Sequence, residues 1–577
     1  MAGTILTREQ FFQRLGEDAF DGSEYGVNFA VDINEEAIDW EFRIIRNVTF
    51  EHVVRVSGDI RSGFLFNNCN FKKGIVFRGA ITLNFNTAHN QSNASLVFAN
   101  CKADHITFAD DCQLERAVFI QGGCIIKNKV GFYDSTLRGT FKIDNSELSN
   151  LLDFKNCNIR SLTIQNETKI KSLRLDSFTG DISLIKSNFT DNVKFWNIET
   201  PNNLTLNYNN FEDTFDIKAS RIPAFYSHGD TFKRRAKLEN RDDSGQNIEA
   251  YLNKLYLTDV NLIEGFEFDG MGNELQELRL PLTTSFSGVL RLMGWKIKST
   301  NISGINQNLK LIFANVLFGQ LTFNDFSNFA DITFDRSGAN PDFDEESFII
   351  AANTDFGNSK FNEFNFNSFN FINLSNTSFN NIVATNVIWF EESQIRINSS
   401  TINSSQSFRR IREVYRQIKQ SLISQGNQID SLEFKAKEMR AYRNELVASA
   451  KEGGKYKLSD KAIMTVNQTN NYGLSWWKPV WIICLLTLVF YIIELPLFSK
   501  EINYTLAKSW EDVGVTFCVF WNNFNVFWQM FNPARKFSSI YGENIIAFLY
   551  FLDFLHRLIL GIFIFQIIKA FRRFASK

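Results

Sequence analysis

The chain has 577 residues, with 61 basic against 63 acidic side chains and a formal net charge of −2. A balance so near neutrality excludes bulk attraction to nucleic acid or to an anionic membrane surface and leaves only local patches to consider. The 60 Phe against 7 Pro exclude average globular usage and point to one small unit copied many times.

Residues 1–40 read as an N-terminal cap. Arg8 to Leu15 predicts a short helix, and no apolar export segment accompanies it. The seven cysteines (Cys69, Cys101, Cys112, Cys124, Cys157, Cys484 and Cys518) include no C-x-x-C pair. Their odd number and scatter predict reduced thiols in a cytosolic domain.

From about Trp40 to Ile402, large apolar residues recur every five positions in short runs. Phe66, Phe71, Val76 and Ile81 form one. Phe313, Phe318 and Phe323 form another, and Phe356, Phe361, Phe366 and Phe371 a third. Asn, Asp, Ser, Thr and Gly fill the gaps. A period of five fits neither a helix at 3.6 nor a strand at 2. It fits a square coil with one inward residue per side and Asn or Ser at the corners, where side chains bond nearby backbone. At ~20 residues per coil this gives roughly 17 coils and a rod on the order of 80 Å long. The rival is an irregular, Phe-rich β-sandwich. Two blocks are predicted, 41–222 and 256–403, with register breaks such as that between Phe323 and Phe329.

Residues 223–255 do not repeat and read as a charged insert. Lys233, Arg234, Arg235 and Lys237 are candidate phosphate ligands for a nucleotide or single-stranded oligonucleotide. Glu239, Asp242 and Asp243 follow at once, and the competing reading is a solvated loop or surface helix.

Units such as Phe66-Asn67-Asn68-Cys69-Asn70-Phe71 resemble the pentapeptide-repeat family, although the small residue two places before the central Leu or Phe is often missing. The resemblance implies a mainly β chain built on a quadrilateral parallel β-helix of right hand.

The pattern changes at Phe408. Phe408, Ile411, Tyr415, Ile418 and Leu422 follow steps of three and four, one face of a helix. Gly426 and Asn427 turn the chain. Asp430 and Glu433 predict a capping box for a second helix to about Leu446, with Leu432, Ala436, Met439 and Leu446 on its apolar face. Residues 404–450 are thus a helical hairpin, closing the solenoid or coupling it onward. Tyr415-Arg416-Gln417-Ile418-Lys419 and Gln425-Gly426-Asn427 resemble a segment of pentapeptide-repeat channel proteins.

After a linker, 451–478, comes a transmembrane module, 479–577. Two apolar runs, 479–498 and 545–568, are long enough to cross ~30 Å of hydrocarbon, and Trp476, Trp477 and Trp481 stand where an interface is expected. Lys451, Lys455, Lys457, Lys461 and Lys478 precede the first. Lys569, Arg572, Arg573 and Lys577 follow the second. Both termini and the solenoid are therefore expected in the cytoplasm, with the chain multi-pass in a bacterial inner membrane. Between the runs, 510–532 is apolar but interrupted by Asn522, Asn523, Asn525 and Gln529. A re-entrant pore segment, a third span and an interfacial helix all remain open for it. Asp553, His556 and Arg557 lie inside the second run, where charge is expensive. Asp553 and Arg557, four apart, read either as an ion pair between subunits or, with the four amides, as pore lining.

The sequence of the last helix, Arg557 to Arg572, resembles the closing helix of the same channel-like proteins. That resemblance implies a gated homo-oligomer, expected to be a tetramer, that passes inorganic ions across the bilayer. Some proteins of this kind resemble anti-phage effectors that depolarise the host membrane when a nucleotide or oligonucleotide binds. No T-V-G-Y-G filter is present, so potassium selectivity is not implied. No P-loop, H-E-x-x-H or G-x-S-x-G occurs, and the five His have no metal-ligand spacing. No enzyme activity, catalytic residue, metal or cofactor is expected. The alternatives are a non-conducting, membrane-anchored scaffold that binds protein or nucleic acid, and a nucleic-acid mimic.

Overall fold

The structure, a computed structural model, describes residues 3–34, 42–58, 60, 63–81, 94–239, 252–343, 347–396, 404–499, 510–542 and 546–575. It divides into two compact units, Met1–Asn398 and Ser399–Lys577.

The first unit is a parallel β-solenoid of about 16 turns. Among the described residues, 38 strands form one sheet and every pairing is parallel. Successive turns are offset by 21 to 23 residues over much of the chain, as in Thr4↔Tyr25, Lys102↔Ile125 and Asn188↔Asn210. The reason is visible inside. Each side buries two residues at i and i+2. One turn runs through Phe141 and Ile143, Ser146 and Leu148, Leu152 and Phe154, then Cys157 and Ile159. The coil is therefore four-sided, as expected, but with two inward residues per side rather than one.

Phe columns run along the axis. Phe77, Phe108, Phe132 and Phe154 stack at centroid distances of 4.9, 4.1 and 5.1 Å. Phe189, Phe211 and Phe232 do so at 5.1 and 4.7 Å. These spacings match the ~4.8 Å between neighbouring strands, so each turn adds one ring to a column. The five-residue reading places two residues on the wrong face. Val76 and Phe371 point outward, while Ile75, Phe77, Phe369 and Ile372 fill the interior.

Asn residues hold the corners. Asn47, Asn68, Asn100, Asn145, Asn156 and Asn166 all lie in the left-handed region, at φ 43° to 57°. Asn tolerates that conformation better than most side chains. A second column faces inward at one corner, where Cys69, Cys101, Cys124, Ser146, Thr168, Ser187, Asn209 and Asp230 occupy successive turns. The small donors among them satisfy buried carbonyls. Cys101 Sγ donates to Phe66 O at 3.2 Å, Ser187 Oγ to Ile185 O at 3.0 Å, and Asn209 Nδ2 to Leu184 O at 2.7 Å. The five solenoid cysteines are thus interior packing groups, free and buried.

Asp230 ends the column fully buried, accepting from Asn209 N and Nδ2 at 2.7 and 2.9 Å and from Ser227 Oγ at 2.6 Å. Burial pushes its carboxyl up from 3.8 to about 7, against the pull of those donors. Between these values the folded state holds a proton that the unfolded chain has released. Solenoid stability is therefore expected to fall as pH rises from about 4 to about 7 and then level. Asp230→Asn should flatten that dependence in thermal melts. An unchanged slope would remove Asp230 as its source.

Two expected boundaries are corrected. The solenoid begins at Thr4–Leu6, which pairs with Tyr25–Val27, so residues 1–40 are not merely a cap. Helix α1 (Arg8–Glu17) interrupts this first turn behind a Thr7 capping box. The charged insert is also largely solenoid. Ile222–His228, Thr231–Phe232 and Ala236–Glu239 are strands in register with both neighbours, and Leu252–Thr258 resumes the coil. Their inward residues, such as Phe225, Phe232 and Leu238, are apolar apart from Ser227, which donates to buried Asp230, while Lys237 and Glu239 lie on the outer side. Of the insert, residues 240–251, with Asp242 and Asp243, lie outside the described residues.

The second unit is helical. Helices α2 (Ser404–Ser424) and α3 (Gln428–Lys451) form the expected hairpin. Tyr415, Ile418 and Leu422 are buried on α2, with Tyr415 against Phe434 of α3, where Ala436 and Ala441 are buried too. The cap of α3 is Asn427, whose side chain accepts from Asp430 N, rather than an Asp430–Glu433 box. The expected linker contains helix α4 (Leu458–Thr469) and a short 3-10 turn, Asn471–Gly473. Then follow α5 (Trp477–Phe498), α6 (Trp510–Asn522), α7 (Phe524–Met530), α8 (Phe537–Tyr541) and α9 (Ala547–Ala575). Trp477–Leu497 and Ala547–Phe571, 21 and 25 residues, are long and apolar enough to cross a membrane.

Candidate functional site

The apolar stretch between the two long helices is not one helix. It breaks at Asn523 into α6 and α7. The Asn523 side chain turns back and donates from Nδ2 to Val519 O at 2.9 Å, competing with continuation of the helix. Tyr491 of α5 donates to Phe520 O at 2.7 Å, and Arg535 Nη1 donates to Met530 O. The carbonyls released by the break and at the end of α7 thus have donors from elsewhere in the unit.

One edge of the broken helix packs inward. Val519, Val526, Phe527 and Met530 join Phe490, Tyr491 and Leu495 of α5 and Leu552 of α9 in a single apolar cluster. An adjoining edge is left open: Cys518, Asn522, Asn525 and Gln529 are all exposed, at steps of four, three and four. No charged residue occurs between Val513 and Phe531. Three of the four predicted amides therefore share one exposed edge. Asn523 does not join them.

Asp553 and Arg557 sit elsewhere. Asp553, with a side chain 5% exposed, is buried under Arg535, itself 3% exposed. Arg535 Nε and Nη2 donate to Asp553 Oδ1 at 3.0 and 2.5 Å. Arg535 Nη2 also lies 3.0 Å from His556 Nδ1, and the other ring nitrogen of His556 lies 3.2 Å from Thr487 Oγ1 of α5. Arg557 Nε donates to Asp553 Oδ2 at 2.7 Å, so the pairing four residues apart forms within one chain. Beside this cluster Tyr541 of α8 donates to the buried Glu494 of α5 at 2.5 Å. Sequence reading missed Arg535. Arg535 stands beside Lys536 in the loop between the two long helices, and nothing in the sequence marks which of the two is drawn inside.

A second junction ties the hairpin to the last helix. Asn470, fully buried, donates from Nδ2 to Gln566 Oε1 at 2.6 Å and to Gln566 O at 3.3 Å. Its neighbour Asn471 accepts from Arg440 Nη2 of α3 at 2.9 Å, and Lys569 of α9 donates to Asn467 of α4 at 2.9 Å. Ala436, Met464 and Tyr472 pack beneath.

In the solenoid, the four candidate phosphate ligands each face a carboxylate. Lys233 pairs with Glu212 at 2.7 Å, Arg234 with Glu264 at 2.5 Å, Arg235 with Glu267, and Lys237 with Glu239 at 2.8 Å. Lys237 belongs to a ladder on one outer face, where Asp153, Arg174, Lys194, Asp216, Lys237, Glu267 and Arg291 occupy successive rungs, and Lys233, Arg234 and Arg235 lie in the connection just before it. Opposite charges on neighbouring strands neutralise one another, so the run reads as basic only in one dimension. Arg234→Gln with Arg235→Gln is expected to leave the chemical-denaturation midpoint nearly unchanged, because both pairs are surface pairs. A clear drop would mean that these pairs hold the turns together. Among the described residues, no group of three or more His, Cys, Asp or Glu could hold a metal ion.

Comparison with protein families, with curated proteins and with solved structures finds no match. The class is therefore set by architecture alone: a mainly β protein with an N-terminal parallel β-solenoid. Its C-terminal unit is helical and holds two helices long and apolar enough to span a membrane.

Proposed function

We propose that this chain is one subunit of a gated, oligomeric ion channel in a bacterial inner membrane. In this reading α5 and α9 are the spans and α6–α7 is re-entrant. The edge carrying Asn522, Asn525 and Gln529 borders a water-filled path enclosed by several copies, four by resemblance to pentapeptide-repeat channel proteins. The solenoid is the cytoplasmic sensing domain.

The observation that carries the reading is a broken, amide-edged helix, free of charge from Val513 to Phe531, packed against two apolar helices with its polar edge left open. Irregular backbone at membrane depth is tolerated only within protein or beside water, and the donors from Tyr491 and Arg535 meet that condition. Only 33% and 28% of the most apolar stretches of α5 and α9 are buried within the chain. That much open apolar surface suits lipid and neighbouring copies, not a soluble core. A nucleotide signal forms no part of the reading, because Lys233, Arg234, Arg235 and Lys237 already face carboxylates.

The test is ion flux across liposomes holding the purified full chain, together with the mass of the detergent-solubilised particle. A multimer that dissipates an imposed ion gradient is the expected result. One observation favours a second reading: Asp553 is satisfied by Arg535 and Arg557 of its own chain, so these charges do not require a partner copy. A single-chain particle in tight vesicles would establish that reading, a membrane-anchored scaffold.

A further inference from the structure

We infer that helix α4 lies in the plane of the membrane surface, with its apolar stripe in the headgroup boundary and its flanking lysines on anionic phospholipid headgroups. The inference rests on the reading of α5 and α9 as spans, not on conduction. It gives a partner to a segment whose sequence reads as a linker.

The chain covers α4 on one side only. Met464 packs with Ala436 of α3 and Tyr472 of the following turn. Away from it, Leu458, Ala462 and Val466 follow steps of four, with Ile463 beside them. Leu458 is 82% exposed and Ile463 55%; Ala462 is exposed and Val466 half-buried. Two contacts hold this stripe at one end of the apolar helices. Asn467 of α4 accepts from Lys569 of α9 at 2.9 Å, and Asn470, just past α4, is bound to Gln566. At that same end Trp476 stacks on Phe571 at 5.6 Å, and Trp476, Trp477 and Trp481 are all exposed. Exposed tryptophans at the end of a span mark the level of the interface, so α4 stands at that level.

Charge selects lipid over protein as the cover. Between residues 451 and 478 stand five lysines against two carboxylates, Glu452 and Asp460. Lys455, Lys457, Lys461 and Lys478 are exposed, and none forms an ion pair among the described residues. Glu452 is engaged by Ser404 and Ser405 at the start of α2. The solenoid is the contrast, since Lys233, Arg234, Arg235 and Lys237 there all face carboxylates. An exposed apolar stripe flanked by unpaired lysines is what a helix resting on an anionic leaflet carries: the stripe enters the acyl boundary and each lysine gains from the surface potential.

The experiment uses the full-length chain in lipid vesicles, with Cys484→Ala and Cys518→Ala so that the native cysteines left are the five buried ones. Ala462→Cys carries an environment-sensitive fluorophore on the stripe. In a parallel sample Gln468→Cys carries it on the exposed flank away from the stripe. Vesicles of phosphatidylcholine with phosphatidylglycerol are compared with phosphatidylcholine alone. Acrylamide reports access from water, and a phospholipid bearing a nitroxide near its headgroup reports contact with lipid. In the anionic vesicles, acrylamide quenching at 462 is expected to be about threefold weaker than at 468, with strong nitroxide quenching at 462. Without the anionic lipid, or with Lys455, Lys457 and Lys461 all changed to Gln, that difference is expected to fall by about half or more. Equal access at the two positions would overturn the inference. So would shielding at 462 without nitroxide quenching, which would mean a protein cover, and so would shielding indifferent to both the anionic lipid and the lysines. Failure of the span reading looks different: the chain then leaves the vesicles in alkaline carbonate, and the inference falls with it. The elution profile of each variant in detergent, compared with the parent, separates these outcomes from misfolding.

Discussion

Asp553→Leu is expected to destabilise the helical unit by about 3–5 kcal/mol, because it strands a cation that the fold has enclosed. Arg535 is 3% exposed, and its guanidinium has set partners in Met530 O, Asp553 and His556. Removing the carboxylate leaves the charge buried with only Met530 O and His556 beside it. Arg557 also loses its partner, but that side chain is 27% exposed and reaches Pro533 O at 3.5 Å, so it contributes little to the loss. The pair Arg535→Met with Asp553→Leu is expected to recover most of the stability, since a matched apolar pair leaves no buried charge. Melting midpoints of the detergent-solubilised full chain check both. If the double variant melts no higher than Asp553→Leu, the cluster does not act as a charge pair.

How much of this was legible follows the range of each interaction. The solenoid was readable because its rule is local. Phe313, Phe318 and Phe323 do face inward, and Asn does hold the corners. What the five-residue count missed is that a side buries residues two apart, a signal shared with any half-buried strand. Val76 and Phe371 were therefore misplaced, and the turn formed by Tyr25–Val27 and Val31–Ile33, poor in Phe, went unseen. The basic run at 233–237 misled for a related reason. Its neutralising partners Glu212, Glu264 and Glu267 lie one turn away along the axis and 21 to 32 residues away in sequence. In the helical unit the Asp553–Arg557 pair was readable at a spacing of four. Arg535, 18 residues from Asp553, and Tyr541, 47 from Glu494, were not, since only the return of the chain through α7 and α8 brings them together.

The junction at Asn470 is the longest of these, 96 residues from Gln566 in sequence, and it carries the second large effect. Asn470→Leu removes the donor to Gln566 Oε1 and the side-chain oxygen that accepts from Gly473 N at 2.9 Å. Gly473 N keeps the Asn470 backbone carbonyl at 3.1 Å, but buried Gln566 Oε1 is left without its donor, so a loss of about 1–3 kcal/mol is expected. The backbone beside it amplifies the consequence. Asn471, Tyr472 and Gly473 all lie at positive φ, 52°, 57° and 98°. Two non-glycine residues in that region store strain that the surrounding contacts must hold. Those contacts are the Arg440 bond from α3 on one side and Gln566 of α9 on the other. Loosening Asn470 therefore releases the turn that joins the hairpin to the second apolar helix. Pairing Asn470→Leu with Gln566→Leu removes the orphaned amide of Gln566 and is expected to cost less than Asn470→Leu alone, a favourable coupling measurable in a double-mutant cycle. A double variant whose cost equals the sum of the two single costs would mean that the two side chains do not depend on one another, and the hairpin would have to reach α9 by another route.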